Sequence, residues 1–137
     1  MKEEAHFLKF YAIDGDDVGP LIRTRIIAND IQGISQLSQE IDDYFKLISS
    51  ILESGGHKII FCGGDSLLST TYTDPTELFD KLPPGPCTIS IGIGASAEEA
   101  YLALQLAKAR GKNQVVNIST IKADTIHIWD GKDTGPS

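Results

Sequence analysis

The sequence is poor in the residues that stabilise small proteins from outside their core. It has two cysteines in 137 residues, Cys62 and Cys87, 25 positions apart. No CxxC spacing exists, so neither a zinc ribbon nor a thioredoxin-type motif is indicated. A disulfide framework is likewise excluded. Each cysteine sits in an apolar run and reads as a small buried hydrophobe. The three histidines, His6, His57 and His127, show no metal-ligand spacing. Positive charge is also scarce, with 12 basic residues against 19 acidic ones and a net charge of −7. A protein that holds a long nucleic-acid backbone carries a basic footprint, so that class is excluded. Small nucleotides accompanied by a divalent cation are not. No apolar run approaches the roughly 18 residues of a membrane span. The charged first residues and the short apolar stretch after them do not make a signal peptide. A soluble, cytoplasmic protein is expected.

What is present is ordinary for a globular chain: 41% apolar and 23% charged residues. The length fits one domain with a core of its own. A single domain is expected over 1–130, with a flexible tail over 131–137. Residues 6–13 alternate loosely and read as a strand, ending at the turn-rich Asp14-Gly15-Asp16-Asp17-Val18-Gly19-Pro20. A helix over 20–29 follows, with Pro20 suited to a first turn, and Gly33 reads as a break. Ile34, Leu37, Ile41, Tyr44, Phe45, Ile48, Ile51 and Leu52 recur at helical steps until Gly55-Gly56. Strands over 58–62 and 66–72 are separated only by Gly63-Gly64-Asp65, which predicts a tight hairpin. A short helix over 74–80, a strand over 87–94, a Ser96-capped helix over 96–110 and strands over 114–118 and 126–129 complete the pattern. This order predicts an α+β, ferredoxin-like sandwich, an antiparallel sheet with helices on one face.

In such a sheet the first strand lies beside the second strand of the hairpin. Asp14 and Asp65, 51 residues apart, then meet at one edge. Two hard carboxylates there make a Mg²⁺ site that also keeps waters and substrate phosphates as ligands. Aspartate is equally common in turns for local reasons, so it is the pairing that carries the reading. Backbone N–H groups from Gly15 to Pro20, at a helix start, can cradle a triphosphate. Gly15 and Gly19 allow close approach. Asp16 and Asp17 there suit phosphates accompanied by a divalent cation better than a bare anion, or equally a solvated turn with an acidic helix N-terminus that the dipole favours. Lys108 and Lys112, around the end of the last long helix, could neutralise outer phosphates. They could equally complement the helix dipole. Arg23 and Arg25 are weaker candidates, Arg110 reads as solvated, and Trp129 reads as packing.

The motif Asp14-Gly15-Asp16-Asp17-Val18-Gly19, followed by Phe61-Cys62-Gly63-Gly64-Asp65-Ser66, resembles the palm of the type III CRISPR polymerase/cyclase subunit. More broadly it resembles GGDEF cyclic-dinucleotide synthases and class III nucleotide cyclases. The segments 88–94 and 107–113 look like the closing strand, helix and turn of GGDEF domains. A free-standing palm of this size is most similar to the minimal CRISPR polymerase (mCpol) family. That resemblance implies that Asp14 and Asp65, with the Gly15 carbonyl, hold Mg²⁺ or Mn²⁺. It implies that Gly15, Asp16, Asp17, Val18, Gly19, Gly63, Gly64, Ser66, Lys108 and Lys112 contact the nucleotide. A ribose hydroxyl would attack an α-phosphate in a two-metal reaction that releases pyrophosphate, and a one-site palm would cyclise two nucleotides only as a homodimer. ATP is the implied substrate, with no nucleic-acid template. The implied role is antiphage defence, through a product read by a membrane-associated effector. The chain departs from the pattern at Ser66, where a second acid is usual; Asp16 or Asp17 is the expected substitute. It lacks a match to the guanine-reading Asn, since Asn29 lies too far along, and it lacks the inhibitory RxxD.

Two other readings compete. One is a palm that binds nucleotides as a sensor without turning them over, which Ser66 favours. The other is a haloacid-dehalogenase phosphohydrolase, suggested by Asp14-Gly15-Asp16 after a strand. The hairpin and the short chain argue against it. A template-copying polymerase is disfavoured by the lack of a basic channel.

Overall fold

The strand Lys9–Gly15 (β1) runs through the middle of the sheet, and its alternation decides what each face holds. The computed structural model describes residues 7–73, 79–118 and 127–129. After β1 come helices α1 (Val18–Ile27) and α2 (Ile31–Ser54) and the hairpin strands β2 (Lys58–Gly63) and β3 (Ser66–Thr71). Strand β4 (Ile89–Gly94), helix α3 (Ala97–Ala109) and short strands β5 (Val115–Asn117) and β6 (His127–Trp129) follow. The six strands lie in the order β2-β3-β1-β4-β5-β6. Asp14 sits opposite Ser66 on one side and Ser90 on the other.

The α+β sandwich is as expected, with two corrections. The sheet is mixed rather than antiparallel, because β4 and β5 pair in parallel. Parallel neighbours need a crossover, and α3 supplies it. That crossover also puts helices on both faces instead of one. Tyr11 and Ile13 of β1, with Leu67, Ile91 and Ile93, pack against Leu37, Ile41, Phe45, Ile48 and Leu52 of α2. The intervening Ala12 points the other way, to Ala100 and Leu104 of α3, and Val116 meets Ala103 and Ala107 there.

The sequence of β4, Ile-Ser-Ile-Gly-Ile-Gly, encodes both faces at once. Its isoleucines enter the α2 core. Its small residues let α3 come close enough that a Cβ at Gly92 would lie 2.1 Å from the Leu104 nitrogen and 2.2 Å from the Ala100 oxygen. Helix α3 is capped by Ser96, whose hydroxyl accepts from the Glu99 N–H at 3.1 Å.

Smaller expectations shift as well. Gly33 does not break the chain but sits in the first turn of α2. There its N–H reaches the capping Asp30 at 2.9 Å, and a Cβ would collide with that carboxylate. Cys62 is exposed rather than buried, because β2 is an edge strand; its thiol reaches the Phe45 carbonyl at 3.5 Å. Cys87 is half-buried. Of the helix expected over 74–80, residues 74–78 lie outside the described residues, as does the tail over 131–137.

His57 is buried at the start of β2, with Nδ1 2.9 Å from the Ser69 hydroxyl and its ring edge-on to Tyr11 at 4.6 Å. Burial lowers its pKa from 6.5 to about 4. The unfolded chain therefore binds the extra proton first as pH falls. Folding stability should drop between about pH 6.5 and pH 4, by up to roughly 3 kcal/mol from this residue. Denaturant titrations across that range should show the slope, and His57→Gln should flatten it. Gly92→Ala should cost about 3 kcal/mol by the same measurement, since both colliding atoms are backbone.

Candidate active site

The end of β1, the β2–β3 turn and the last turn of α3 converge at one edge of the sheet. Strand pairing does most of this. The Asp14–Ser66 register places Asp65 immediately beyond Asp14, and the Gly15 N–H donates to the Asp65 carbonyl at 2.9 Å. The turn is two residues long, with φ +59 at Gly64, a conformation that costs glycine little.

Asp14 is held from two sides. Its Oδ1 accepts from the Ser66 hydroxyl at 2.7 Å, and its Oδ2 lies 3.1 Å from Lys108 Nζ. Thus Ser66, standing where a second acid was expected, orients the first one. Asp65 feels burial and then the nearby Asp14 charge, and both push its carboxyl above the ordinary range. The two carboxylates therefore carry negative charge that the surrounding protein does not fully offset.

Asp16 plays a different part from the one expected. It is 3% exposed. Its Oδ1 accepts from Ser90 Oγ at 2.7 Å and Lys108 Nζ at 2.9 Å; its Oδ2 accepts from Thr88 Oγ1 at 2.7 Å and the Asn113 N–H at 2.9 Å. Burial alone would raise its carboxyl. The hydrogen bonds from Lys108, Ser90 and Thr88, with the lysine charge, bring it below the usual carboxylate range. All this bonding leaves Asp16 an internal anchor rather than the substitute for a missing acid. Asp17 does not substitute either. It starts α1 with φ +57 and pairs with Lys112.

Lys108 is the hub, within 2.8 Å of the Gly15 carbonyl as well as touching Asp14 and Asp16. Burial lowers its tendency to hold a proton, but the bonds and charges of Asp16 and Asp14 outweigh this and raise its pKa. Lys112 and Asn113 both take positive φ, +66 and +54, and so turn the Asn113 N–H inward onto Asp16.

Beside Asp65 opens a cleft of about 540 Å³ between α1, α2 and the hairpin. Val18, Ile22 and Ile34 form its apolar side; Ser35, Ser38, Gln39 and Asp42 are polar, and Gly64 and Asp65 form its end. Gly19 and Gly63 have no positive φ, and a Cβ at either would meet nothing within 4 Å. The fold itself does not require glycine at these two positions.

The structure thus brings together Asp14, Gly15, Asp16, Asp65, Ser66 and Lys108. It places Asp17 and Lys112 as a pair beside them, and Val18 and Gly64 on the cleft. Arg25 reaches back to the Leu21 carbonyl, and Arg110 to Gln114. Sequence reasoning missed Thr88, Ser90 and Asn113. Ser90 was visible as a hydroxyl on the helix-facing side of an alternating strand. Asn113 was visible as a residue that tolerates positive φ just after Gly111-Lys112.

Among the described residues, no three His, Cys, Asp or Glu side chains converge on one point. The donors are two carboxylates and a carbonyl, all hard oxygens. They fit a Mg²⁺-like ion, which keeps waters and phosphate oxygens for the remaining positions. Two features support that fit: an ammonium already seated on Asp14 and the Gly15 carbonyl, and an Asp65 carboxyl that burial and then the Asp14 charge push upward.

The sheet order, the hairpin bearing Gly-Gly-Asp and the acid at the end of the central strand define a palm domain of the polymerase and nucleotide-cyclase type. The chain belongs to the minimal CRISPR polymerase domain family, mCpol, whose model matches residues 10–118. No curated protein matches the sequence. Among solved structures, the Csm1–Csm4 subcomplex of the type III-A CRISPR-Csm interference complex aligns with a TM-score of 0.68 at 17% identity. That alignment covers 90% of this chain and 22% of the other. A Csm1–Csm4 cassette in complex with cA3 aligns at 0.64 and 19% identity, over 79% and 20%. The active GGEEF domain of a diguanylate cyclase from Vibrio cholerae aligns at 0.59 and 17% identity, over 82% and 83%. The chain therefore spans about a fifth of the length of the Csm1 chains it matches. At these identities the likeness is one of fold.

The different settings of Asp16 and Asp17 are separable by mutation. Asp16→Ala strands several buried donors and should cost about 2–4 kcal/mol in thermal or denaturant unfolding. Asp17→Ala breaks only an exposed pair and should cost less than about 1 kcal/mol.

Proposed function

We propose that this palm is a nucleotidyltransferase that condenses ATP into a cyclic dinucleotide or small cyclic oligonucleotide, working as a cytoplasmic homodimer without a template. The observation that carries the reading is the convergence of Asp14, Asp65 and Lys108, with Asp65 at the end of a cleft of about 540 Å³. The family supports it, and so does a related Csm1–Csm4 cassette crystallised in complex with AMPPNP. Asp14, the Gly15 carbonyl and Asp65 are the residues that would hold divalent cations, Mg²⁺ or Mn²⁺. Bound there, such ions supply activation of the ribose hydroxyl and stabilisation of the leaving pyrophosphate.

The chain's own residues do the rest. The first amides of α1, at Val18 and Gly19, face the region where phosphates would enter, with the helix dipole behind them. Lys108, in the last turn of α3, and Lys112, on the turn after it, would balance phosphate charge. The cleft beside Asp65 offers an apolar wall for a base and hydroxyl and amide groups for its edge. Each palm presents one cleft, so joining two nucleotides in a ring calls for two palms facing each other. The reading extends to a role in antiphage defence, through an effector at a membrane that reads the product, and the CRISPR-polymerase family supports it. Among the described residues, no helix is long and apolar enough to cross a membrane.

A second reading is a nucleotide sensor without turnover. The observation that favours it is Asp14 tied to both Ser66 and Lys108, with Ser66 rather than a second acid following Asp65.

Incubation with ATP and Mg²⁺, followed by mass spectrometry, decides between them. Pyrophosphate and a cyclic product are expected. Binding of ATP without product supports the sensor, and no turnover of any of the four nucleotides by a folded dimer rejects the synthase. Asp14→Ala and Asp65→Ala should each lower turnover at least about 1,000-fold, as expected when a transition-state charge partner is lost, with the fold retained by circular dichroism. Gly19→Ala should stabilise the protein by about 0.5–1 kcal/mol, because an unneeded helical glycine is removed. The same change should raise the KM for ATP if phosphates approach that backbone.

A further inference from the structure

The Lys108 ammonium is shared between two unlike sets of partners. It lies 2.8 Å from the Gly15 carbonyl and 3.1 Å from Oδ2 of the half-buried Asp14. It also lies 2.9 Å from Asp16 Oδ1, which belongs to a buried carboxylate already engaged by Thr88, Ser90 and Asn113. The first two oxygens are the ones the proposed function gives to a divalent cation. An ammonium and a metal ion cannot both hold them, since like charges at contact distance repel strongly. The third oxygen belongs to a carboxylate whose other bonds are all internal, and it remains a partner for the lysine when the first two are taken. A lysine is a compact charge on a flexible four-carbon stem, so it can change partners without backbone movement. The backbone of α3 has little freedom to move, being seated against Gly92 and Gly94.

We propose that Lys108 is the resident cation of the Asp14–Gly15 site, displaced when a divalent ion binds, and that Asp16 is the positioning residue on which the ammonium pivots toward the phosphates. The inference rests on the metal reading of Asp14 given above. It adds that Lys108 already offsets part of the site's negative charge, so the ion must compete for its ligands. It also gives Asp16 a task that neither metal nor nucleotide contact explains. Without Asp16, the displaced lysine would keep no partner, and displacement would be harder.

The test is the binding of Mn²⁺ alone to the full chain, read from the free-ion signal in electron paramagnetic resonance, without nucleotide. Lys108→Met should bind Mn²⁺ at least roughly fivefold more tightly than the wild type, the scale of one partly exposed ion pair removed as a competitor. Lys112→Met removes the same charge nearby but no competitor, and should stay within about twofold. Asp16→Asn should weaken Mn²⁺ binding when Lys108 is present and leave it unchanged in the Lys108→Met background. A purely structural role for Asp16 would weaken binding in both. Equal or weaker binding by Lys108→Met overturns the proposal, as does equal tightening by Lys112→Met. If Asp16→Asn fails to fold, the two lysine variants still decide. Mn²⁺ binding that Asp14→Ala does not change would instead reject the metal reading itself.

Discussion

The site depends on one buried carboxylate. Asp16 draws hydrogen bonds from β4, from the loop before it, from the last turn of α3 and from the turn into β5. Four donors on one charge more than offset what burial costs it, which is why the group stays ionised inside the protein. That charge fixes where Lys108 can stand, and Lys108 in turn touches the oxygens of Asp14 and Gly15. The hairpin contributes from the other side, through Ser66 on Asp14 and the backbone pairing of Gly15 with Asp65. The outward-facing acids are thus aligned by an inward-facing one.

Much of this was legible in the residues. The eight-position apolar stripe of α2 named its buried face, with Leu37, Ile41, Tyr44, Phe45, Ile48 and Leu52 all in the core. The glycines between β2 and β3 announced the hairpin, and the neighbouring strands then brought Asp65 beside Asp14. Less legible were the parallel pairing in the sheet's second half and the helix that covers its other face. The alternation of β4 shows that both of its faces are occupied, but periodicity alone does not say by what. The answer lies in glycines that remove side-chain volume so that α3 can approach, a relation between distant segments. Cys62 misled for a similar reason. An apolar run suggests burial, yet an edge strand exposes residues that a central strand would cover.

The roles of the three neighbouring acids were the hardest to separate. Asp14, Asp16 and Asp17 are near neighbours in sequence, and composition treats them alike. Backbone direction distinguishes them. Asp14 ends a paired strand and faces Ser66 and Lys108, Asp16 turns inward beneath Thr88, and Asp17 takes a left-handed conformation at the start of α1. Their different surroundings, not their identity, assign one to the site, one to the scaffold and one to a surface pair. Thr88, Ser90 and Asn113 escaped notice because no motif marks a hydrogen-bond donor to an interior charge.

The two walls that flank the site are built with very different firmness. On one side α3 lies against bare glycine backbone, with Ala100, Ala103, Leu104 and Ala107 buried. On the other, α1 has no buried residue at all and rests on α2 through half-buried Val18, Leu21 and Ile22. The lysine-bearing wall therefore acts as a datum and the amide-bearing wall as the compliant jaw. A guest of changing size would be accommodated more readily by α1 than by α3. The charged groups would keep their mutual spacing while the cleft changes width.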